Sequence, residues 1–305
     1  VKALIQKGSK SRTLEGLDIE FVEVDLLDKK DLVEHTKGCD AIIHIAALTN
    51  VWPIRHEIYY KVNVDGTMNL VEAALENKIK RFVFISSASA FGYGQKSNPG
   101  DETTPTMAKN FGLDYVDSKL LAQEKVLQAV QKQKLPAIIV NPTFMIGPYD
   151  SKPSSGAMIL AVAKQELKMI TTGGKNWVYV KDVAQAICNA LTMGRIGEMY
   201  ILGNENLSYK EATGIIAQAA GVKPPSLKVP SFLVKLAGHA GSLMGKITGK
   251  APKISYPVAK ISLIDQYYSV AKARKELNLP ATPIQTAVED AIQWFKENGY
   301  LNNGK

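Results

Sequence analysis

Short apolar runs alternate with helix-length amphipathic segments through the first half of the chain, and few folds can hold that order. Val1 to Gln6 reads as a strand and Ile19 to Val24 as the next. Asp25-Leu26-Leu27-Asp28 follows, with Asp28 placed to cap a helix that runs to about His35. Asp40 to Ile45 reads as a buried strand ending in His44-Ile45-Ala46-Ala47. A helix covers roughly Tyr59 to Leu75, and Phe82 to Ser86 is again a strand. A helix from Tyr115 to about Gln133 precedes a strand over Ala137–Asn141, which leads into Pro142-Thr143. Strands that alternate with helices of this length predict an α/β protein with a doubly wound parallel sheet and right-handed crossovers.

After Gly147-Pro148 the texture changes. Helices dominate and the strands shorten to Lys168–Thr171, Val178–Val180 and Met199–Leu202. The expected division is a first part over 1–148 and a smaller, mostly helical part over 149–305, with 178–202 returning to the sheet. From Ala271 to Leu301 the chain reads as helical; Ile284, Val288, Ile292 and Phe295 have core-facing spacing, with Trp294 beside them.

The chemistry sits in two stretches. The strand Phe82-Val83-Phe84-Ile85 ends in Ser86-Ser87, and Tyr115-Val116-Asp117-Ser118-Lys119 opens a helix further on. Residues four apart share a helix face, so the Tyr115 phenol and the Lys119 ammonium can reach one site. A phenol titrates near 10 when unperturbed, and a neighbouring positive charge favours its ionised form. Such a tyrosine can exchange a proton near neutral pH. Ser87 can hold a carbonyl or alcohol oxygen beside it. That set suits hydride transfer to or from a nicotinamide, where the cofactor carries the hard chemistry.

With these residues in view, the chain resembles the extended short-chain dehydrogenase/reductases of the NAD(P)-dependent epimerase/dehydratase type. It is most similar to the dihydroflavonol-reductase-like and 3β-hydroxysteroid-dehydrogenase-like branch, nearly end to end. The resemblance implies a Rossmann-like dinucleotide-binding part over 1–148 and a substrate-binding part after it. It makes Ser87, Tyr115 and Lys119 the catalytic trio, with Ser86, Tyr115 and Lys119 also toward the cofactor. Asp25-Leu26 is similar to the family's adenine-contacting pair, and Ala46-Ala47 to the small-residue turn where the cofactor approaches the backbone. Asn141-Pro142-Thr143-Phe144-Met145-Ile146-Gly147-Pro148 resembles an octet whose Pro142-Thr143 would lie by the nicotinamide, with Asn141 in place of the usual Arg. Asn63 matches a position that braces the active-site helix, and His44 reads as a packed strand histidine. Trp177 to Ala184 resembles a stretch that mainly marks the fold.

Gln6-Lys7-Gly8-Ser9-Lys10-Ser11-Arg12 follows the first visible strand, with no acid before Glu15. An acid in such a loop binds a ribose 2′-hydroxyl, whereas basic residues suit a 2′-phosphate. Lys7, Lys10 and Arg12 therefore favour NADP over NAD, the alternative being a solvated basic loop. A nucleotide-sugar epimerase or dehydratase using the same trio is the second reading of function, and a non-catalytic relative of the fold the third. No glycine-rich Rossmann fingerprint follows a strand. The resemblance aligns Val1 with the family's second strand, so about 25–30 residues of a unit of ~30 have no counterpart. The natural product is expected to be longer, the alternative being a truncated or inactive relative, and the chain as written to bind NADPH weakly because no amides remain to cradle the pyrophosphate.

Composition excludes some classes. Of 305 residues 46% are hydrophobic and 22% charged, ordinary for a globular protein. Cys39 and Cys188 stand far apart, which fits a reducing, cytoplasmic location. His35, His44, His56 and His239 form no ligand pattern, so no metal is expected. No apolar run approaches the length that spans a bilayer, and the start is too short for a signal peptide. The partner is expected to be a small molecule, with an apolar one among the candidates, on a chain that can form a homodimer.

The net charge of +8 is unevenly spread. No acidic residue falls between Ala212 and Ile264, where Lys223, Lys228, Lys235, Lys246, Lys250, Lys253 and Lys260 all lie. Nucleic acid is set aside for want of any recognised module. Within the stretch, Phe232, Leu233, Leu236, Ala240, Leu243, Met244 and Ile247 recur at helical spacing over Pro230–Ile247. Three readings follow: a core face, a hydrophobic lid weakened by Gly238, Gly241 and Gly245, or a contact with anionic membrane. The membrane contact stands last, because the lysines are spread along the chain.

Overall fold

The computed structural model of the protein describes residues 1–9 and 12–301. In chain order the strands and helices begin with β1 (Lys2–Gln6), β2 (Glu20–Val24), α1 (Lys29–Thr36), β3 (Ala41–His44), α2 (Ile58–Tyr60) and α3 (Gly66–Glu76). They continue with β4 (Arg81–Ile85), α4 (Asp114–Gln133), β5 (Ala137–Pro142), β6 (Phe144–Ile146), α5 (Gly156–Ala163), β7 (Met169–Ile170), β8 (Gly174–Tyr179) and α6 (Val180–Asn189). The remainder is β9 (Met199–Leu202), β10 (Glu205–Ser208), α7 (Tyr209–Ala220), β11 (Leu227–Lys228), α8 (Ser231–Thr248), α9 (Tyr256–Ile261), β12 (Asp265–Gln266), α10 (Ala271–Leu277) and α11 (Ile284–Glu297). The chain forms two compact units: Val1–Ala90, Leu113–Asn141 and Ile187–Tyr200 in the first, Phe91–Gly112, Pro142–Ala186 and Ile201–Lys305 in the second. The two units interleave in sequence, with 91–112 in the second unit and 187–200 in the first.

The first unit carries the parallel sheet. β3, β4 and β5 pair in parallel, Ile42 beside Phe82 and Phe84 beside Ile139, and β9 lies next to β5. β5 is buried along its whole length, as a central parallel strand covered on both faces must be. β1 and β2 pair with each other in a separate parallel ladder, Leu4 beside Val22. The core joins Phe82, Phe84 and Ile139 of the strands to Leu32 of α1, Val71 of α3 and Val126 of α4.

Two details set the site. Asp28 caps α1, its Oδ1 accepting from the Lys30 and Asp31 amides at 3.0 and 3.2 Å. Between α2 and α3, Lys61–Asp65 form a π-helical turn in which the Gly66 amide reaches back to the Lys61 carbonyl. One extra residue per turn here turns Asn63 and Val64 into the interior.

The second unit is built on β8, which pairs with β10, β12 and β6. Trp177 of β8 is fully buried among Ile159, Ile216, Val288, Ile292 and Phe295. The spacing read on α11 is met: Ile284, Val288, Ile292 and Phe295 are buried and Trp294 packs at their edge. Asp182 of α6 accepts from the backbone and hydroxyl of Thr282, both at 2.8 Å, which ties the approach to α11.

Candidate active site

β4 delivers Ser86 and Ser87 at its carboxyl end, and the chain turns at once, the Ala90 amide donating to the Ser87 carbonyl at 3.1 Å. α4 brings Tyr115, Ser118, Lys119 and Gln123 past that point. The start of α4 is held from outside. Asp114 accepts from Arg55 at 2.5 Å and from the His56 amide at 2.7 Å, and the Asp114 amide donates to the Ile54 carbonyl at 3.1 Å. Arg55 also reaches Asp117 at 2.7 Å. Asn63 grips the middle: its Nδ2 donates to Ser118 Oγ and to the Leu48 carbonyl, both at 3.0 Å, while its Oδ1 accepts from the Leu48 amide at 2.7 Å.

The trio meets within the first unit. The Tyr115 phenol lies beside Ser87, near enough for the serine to act on its titration. Burial pushes the phenol up from its ordinary value and Ser87 draws it back. The Lys119 ammonium donates to the Ile85 carbonyl at 2.6 Å and lies 4.8 Å from the centroid of the Phe84 ring. Burial lowers Lys119 to about 8. Tyr115 and Lys119 thus share a helix face, with the ammonium turned to the end of β4 in this structure.

The neighbours explain these settings. His44 Nε2 is 2.8 Å from Thr67 Oγ1, whose proton goes to the Asn63 carbonyl at 2.6 Å, so Nε2 carries the hydrogen. Burial first, and then the charge of Lys119, lower His44 to about 3, so it is neutral. Asn141 at the end of β5 donates to the Ser87 carbonyl at 3.0 Å and to Gln123 Oε1 at 2.6 Å. Ser87 Oγ is also 2.8 Å from Ser89 Oγ. Ser89 and Gln123 escaped the sequence reading, although the serine run and the four-residue step from Lys119 to Gln123 mark them.

The other residues named from sequence lie after strands. Lys7 is exposed after β1, in a turn where Gly8 has φ +72°. Lys10 lies outside the described residues, as does the side chain of Arg12. Unforeseen in that turn is Glu23 of β2, whose carboxylate accepts from the Gly8 amide at 3.2 Å. Asp25 is exposed and accepts from the Leu27 amide at 2.9 Å. Leu26 packs into the first unit's core, and its carbonyl accepts from Asn69 at 3.2 Å. Ala46 is exposed after β3 and Ala47 half-buried. Pro142 and Thr143 fall in the second unit, where Thr143 Oγ1 bonds to Asn176 Oδ1 at 2.9 Å.

A parallel sheet with a serine pair at a strand end, and a helix that carries a tyrosine and a buried lysine past it, is the frame of a dinucleotide-dependent enzyme. The model of the NAD dependent epimerase/dehydratase family matches residues 1–203, and the chain belongs to that family, within the extended short-chain dehydrogenase/reductases. A protein of Synechocystis sp. with the provisional name dihydroflavonol 4-reductase is 32% identical, over 99% of this chain and 89% of its own. The sterol-4-alpha-carboxylate 3-dehydrogenase ERG26, decarboxylating, of Candida albicans is 28% identical, over 98% and 89%. The crystal structure of gox2253 matches with TM-score 0.85 and 35% identity, over 98% of this chain and 91% of that one.

The donor set fits the nicotinamide end of such a cofactor. Lys119 has one hydrogen bond among the described residues, to Ile85, which leaves ammonium hydrogens for ribose oxygens. Ser86 Oγ is buried with no partner there, a polar atom that a ligand group can satisfy.

Proposed function

We propose that this protein is a nicotinamide-dinucleotide-dependent oxidoreductase acting on a carbonyl or alcohol through Ser87, Tyr115 and Lys119. The observation that carries the reading is that α4 sets Tyr115 and the buried Lys119 on one face at the end of β4, with Lys119 bonded to the Ile85 carbonyl and Ser87 beside the Tyr115 phenol. When bound, the nicotinamide supplies or accepts the hydride. Tyr115 gives its phenolic proton to the substrate oxygen as the carbonyl becomes an alcohol, and takes it back in the reverse direction. Ser87 orients that oxygen. Lys119 holds the ribose hydroxyls, and its charge moves toward the phenol when its bond to Ile85 is exchanged for the ligand's.

Lys7, with the basic Lys10 and Arg12 close behind it in sequence, supports NADP, while Glu23 at the Gly8 amide opposes a 2′-phosphate. Asp25, Ala46 and Ala47 complete the adenosine side of the reading, and Pro142 and Thr143 the nicotinamide side. An apolar ring alcohol or ketone is the preferred substrate class, and a cytoplasmic location goes with the unpaired cysteines. Reduction is preferred to epimerisation because two relatives with near-complete coverage are named as a reductase and a dehydrogenase.

The test is Tyr115→Phe in the full-length protein. General acid–base catalysis contributes about 10²–10⁴-fold, so turnover should fall by that factor with folding intact. A variant that keeps wild-type turnover would refute the assignment. Net oxidation of reduced nicotinamide separates a reductase from an epimerase, which returns the hydride to its substrate.

A further inference from the structure

α8 reverses the ordinary reading of an amphipathic helix. Its packed face is the glycine face: a Cβ on Gly238 would come within 2.5 Å of the Ala259 Cβ, and one on Gly241 within 2.0 Å of the Ile254 carbonyl oxygen. Val234, Gly238 and Gly245 are buried, and His239 stacks on Tyr256 of α9 at 3.9 Å. The glycines let α8 lie close against 254–259 rather than loosening it. At 100° per residue, Phe232, Leu243, Leu236, Ile247, Leu233 and Met244 then fall on one arc of about 120° on the opposite side. All six are between 42 and 71% exposed. The apolar stripe is not a core face, and it is uncovered.

The charges say what covers it. Lys235 and Lys246 lie along one edge of the arc, and Lys228, Lys250 and Lys253 are exposed in the segments at its two ends. Residues spread along the sequence become a rim around one helix face. No carboxylate from Ala212 to Ile264 answers them. Pairing α8 with α8 of a second copy would bring two lysine rims together with nothing in this stretch to neutralise them. An exposed apolar arc with a cationic rim matches a bilayer of anionic lipid, into which such a helix sinks its apolar side while lysines meet the phosphates. No described helix is long and apolar enough to cross a membrane. α8 is about 27 Å long and would lie in the interface plane.

We propose that α8 is a reversible docking helix for anionic membrane surface. This stands apart from the catalytic reading, since docking is read without substrate or cofactor. The full-length protein is sedimented with vesicles of equal parts phosphatidylcholine and phosphatidylglycerol, and with phosphatidylcholine alone, at low and high salt. Expected is co-sedimentation with the anionic vesicles only, weakened by salt. Leu236→Asp and Ile247→Asp should each lower partitioning at least about tenfold, with circular dichroism and melting unchanged. Lys235→Gln with Lys246→Gln should lower it about twenty-fivefold, from about fivefold per lysine. Absence of binding to anionic vesicles overturns the proposal, as does binding that the Asp variants leave intact. A concentration-dependent dimer that Leu236→Asp dissolves, without vesicle binding, assigns the face to a second copy instead.

Discussion

Asn141 holds Ser87 and Gln123 with the two hydrogens of a single amide, at 3.0 Å to the Ser87 carbonyl and 2.6 Å to Gln123 Oε1. Asn141 is fully buried, and its own Oδ1 has no partner among the described residues. Asn141→Leu would orphan Gln123 Oε1 at about 1–3 kcal/mol and take one of two donors from the Ser87 carbonyl, which keeps the Ala90 amide, offset in part by removal of the unpartnered Oδ1. The expected outcome is a net loss of about 1–3 kcal/mol in urea unfolding, with a lower kcat because the Ser87 turn loses its anchor. Unchanged stability would show that the amide's bonds are replaced by water.

Ser89 holds the hydroxyl of Ser87, the two oxygens 2.8 Å apart. Ser89→Ala should lower kcat by about two- to tenfold, the value of one neutral hydrogen bond, and leave dinucleotide affinity alone. Ser89→Thr keeps the oxygen and should restore most of the rate. A rise in KM for the dinucleotide at constant kcat would place Ser89 in binding instead.

Lys119 gives two pH effects of opposite sign. In the fold, burial lowers it to about 8, against an ordinary lysine near 10.4. Its cation is present below about 8, so dinucleotide affinity should weaken as pH rises through that value. Between about 8 and 10.4 the unfolded chain binds more protons than the folded one, so this residue's contribution to stability rises with pH across that window. Lys119→Met should flatten both trends. Calorimetric binding and urea unfolding over the same pH range check them.

On the proposed adenosine side, Glu23 should lower the preference for a phosphorylated ribose. Glu23→Gln removes a charge next to the Lys7-Gly8 turn and should raise the NADPH-to-NADH affinity ratio about fivefold, the worth of one unit charge a few ångströms away in water. Fluorescence titration of both reduced dinucleotides reads the ratio directly. An unchanged ratio would mean that the 2′ position lies elsewhere.

Much of this was legible without coordinates, because it is local. The serine pair at a strand end, the four-residue step from Tyr115 to Lys119 and the α11 spacing depend on neighbours in sequence. What was hidden depends on which surfaces meet. Glu23 joins the Gly8 turn only because β2 pairs alongside β1, fifteen residues away in the chain. The ammonium of Lys119 goes to Ile85 through tertiary packing that a helix wheel cannot contain. α8 is the sharpest case: its apolar spacing was read correctly as a face, but the glycines opposite decided which face was packed, because only they allow backbone to approach so closely.

The π-helical turn at Lys61–Asp65 has a consequence for how the gene can vary. It holds one residue more than an α-helical turn, so losing any one of the five would collapse it to a regular turn and change which of its residues face inward. Asn63 would then swing away from Leu48 and Ser118, and the brace on α4 would be lost. Substitution is open to Lys61 and Asp65, whose side chains are exposed. Change in length is not, and descendants of this gene should keep the spacing from Ile58 to Gly66 even where they keep little of its spelling.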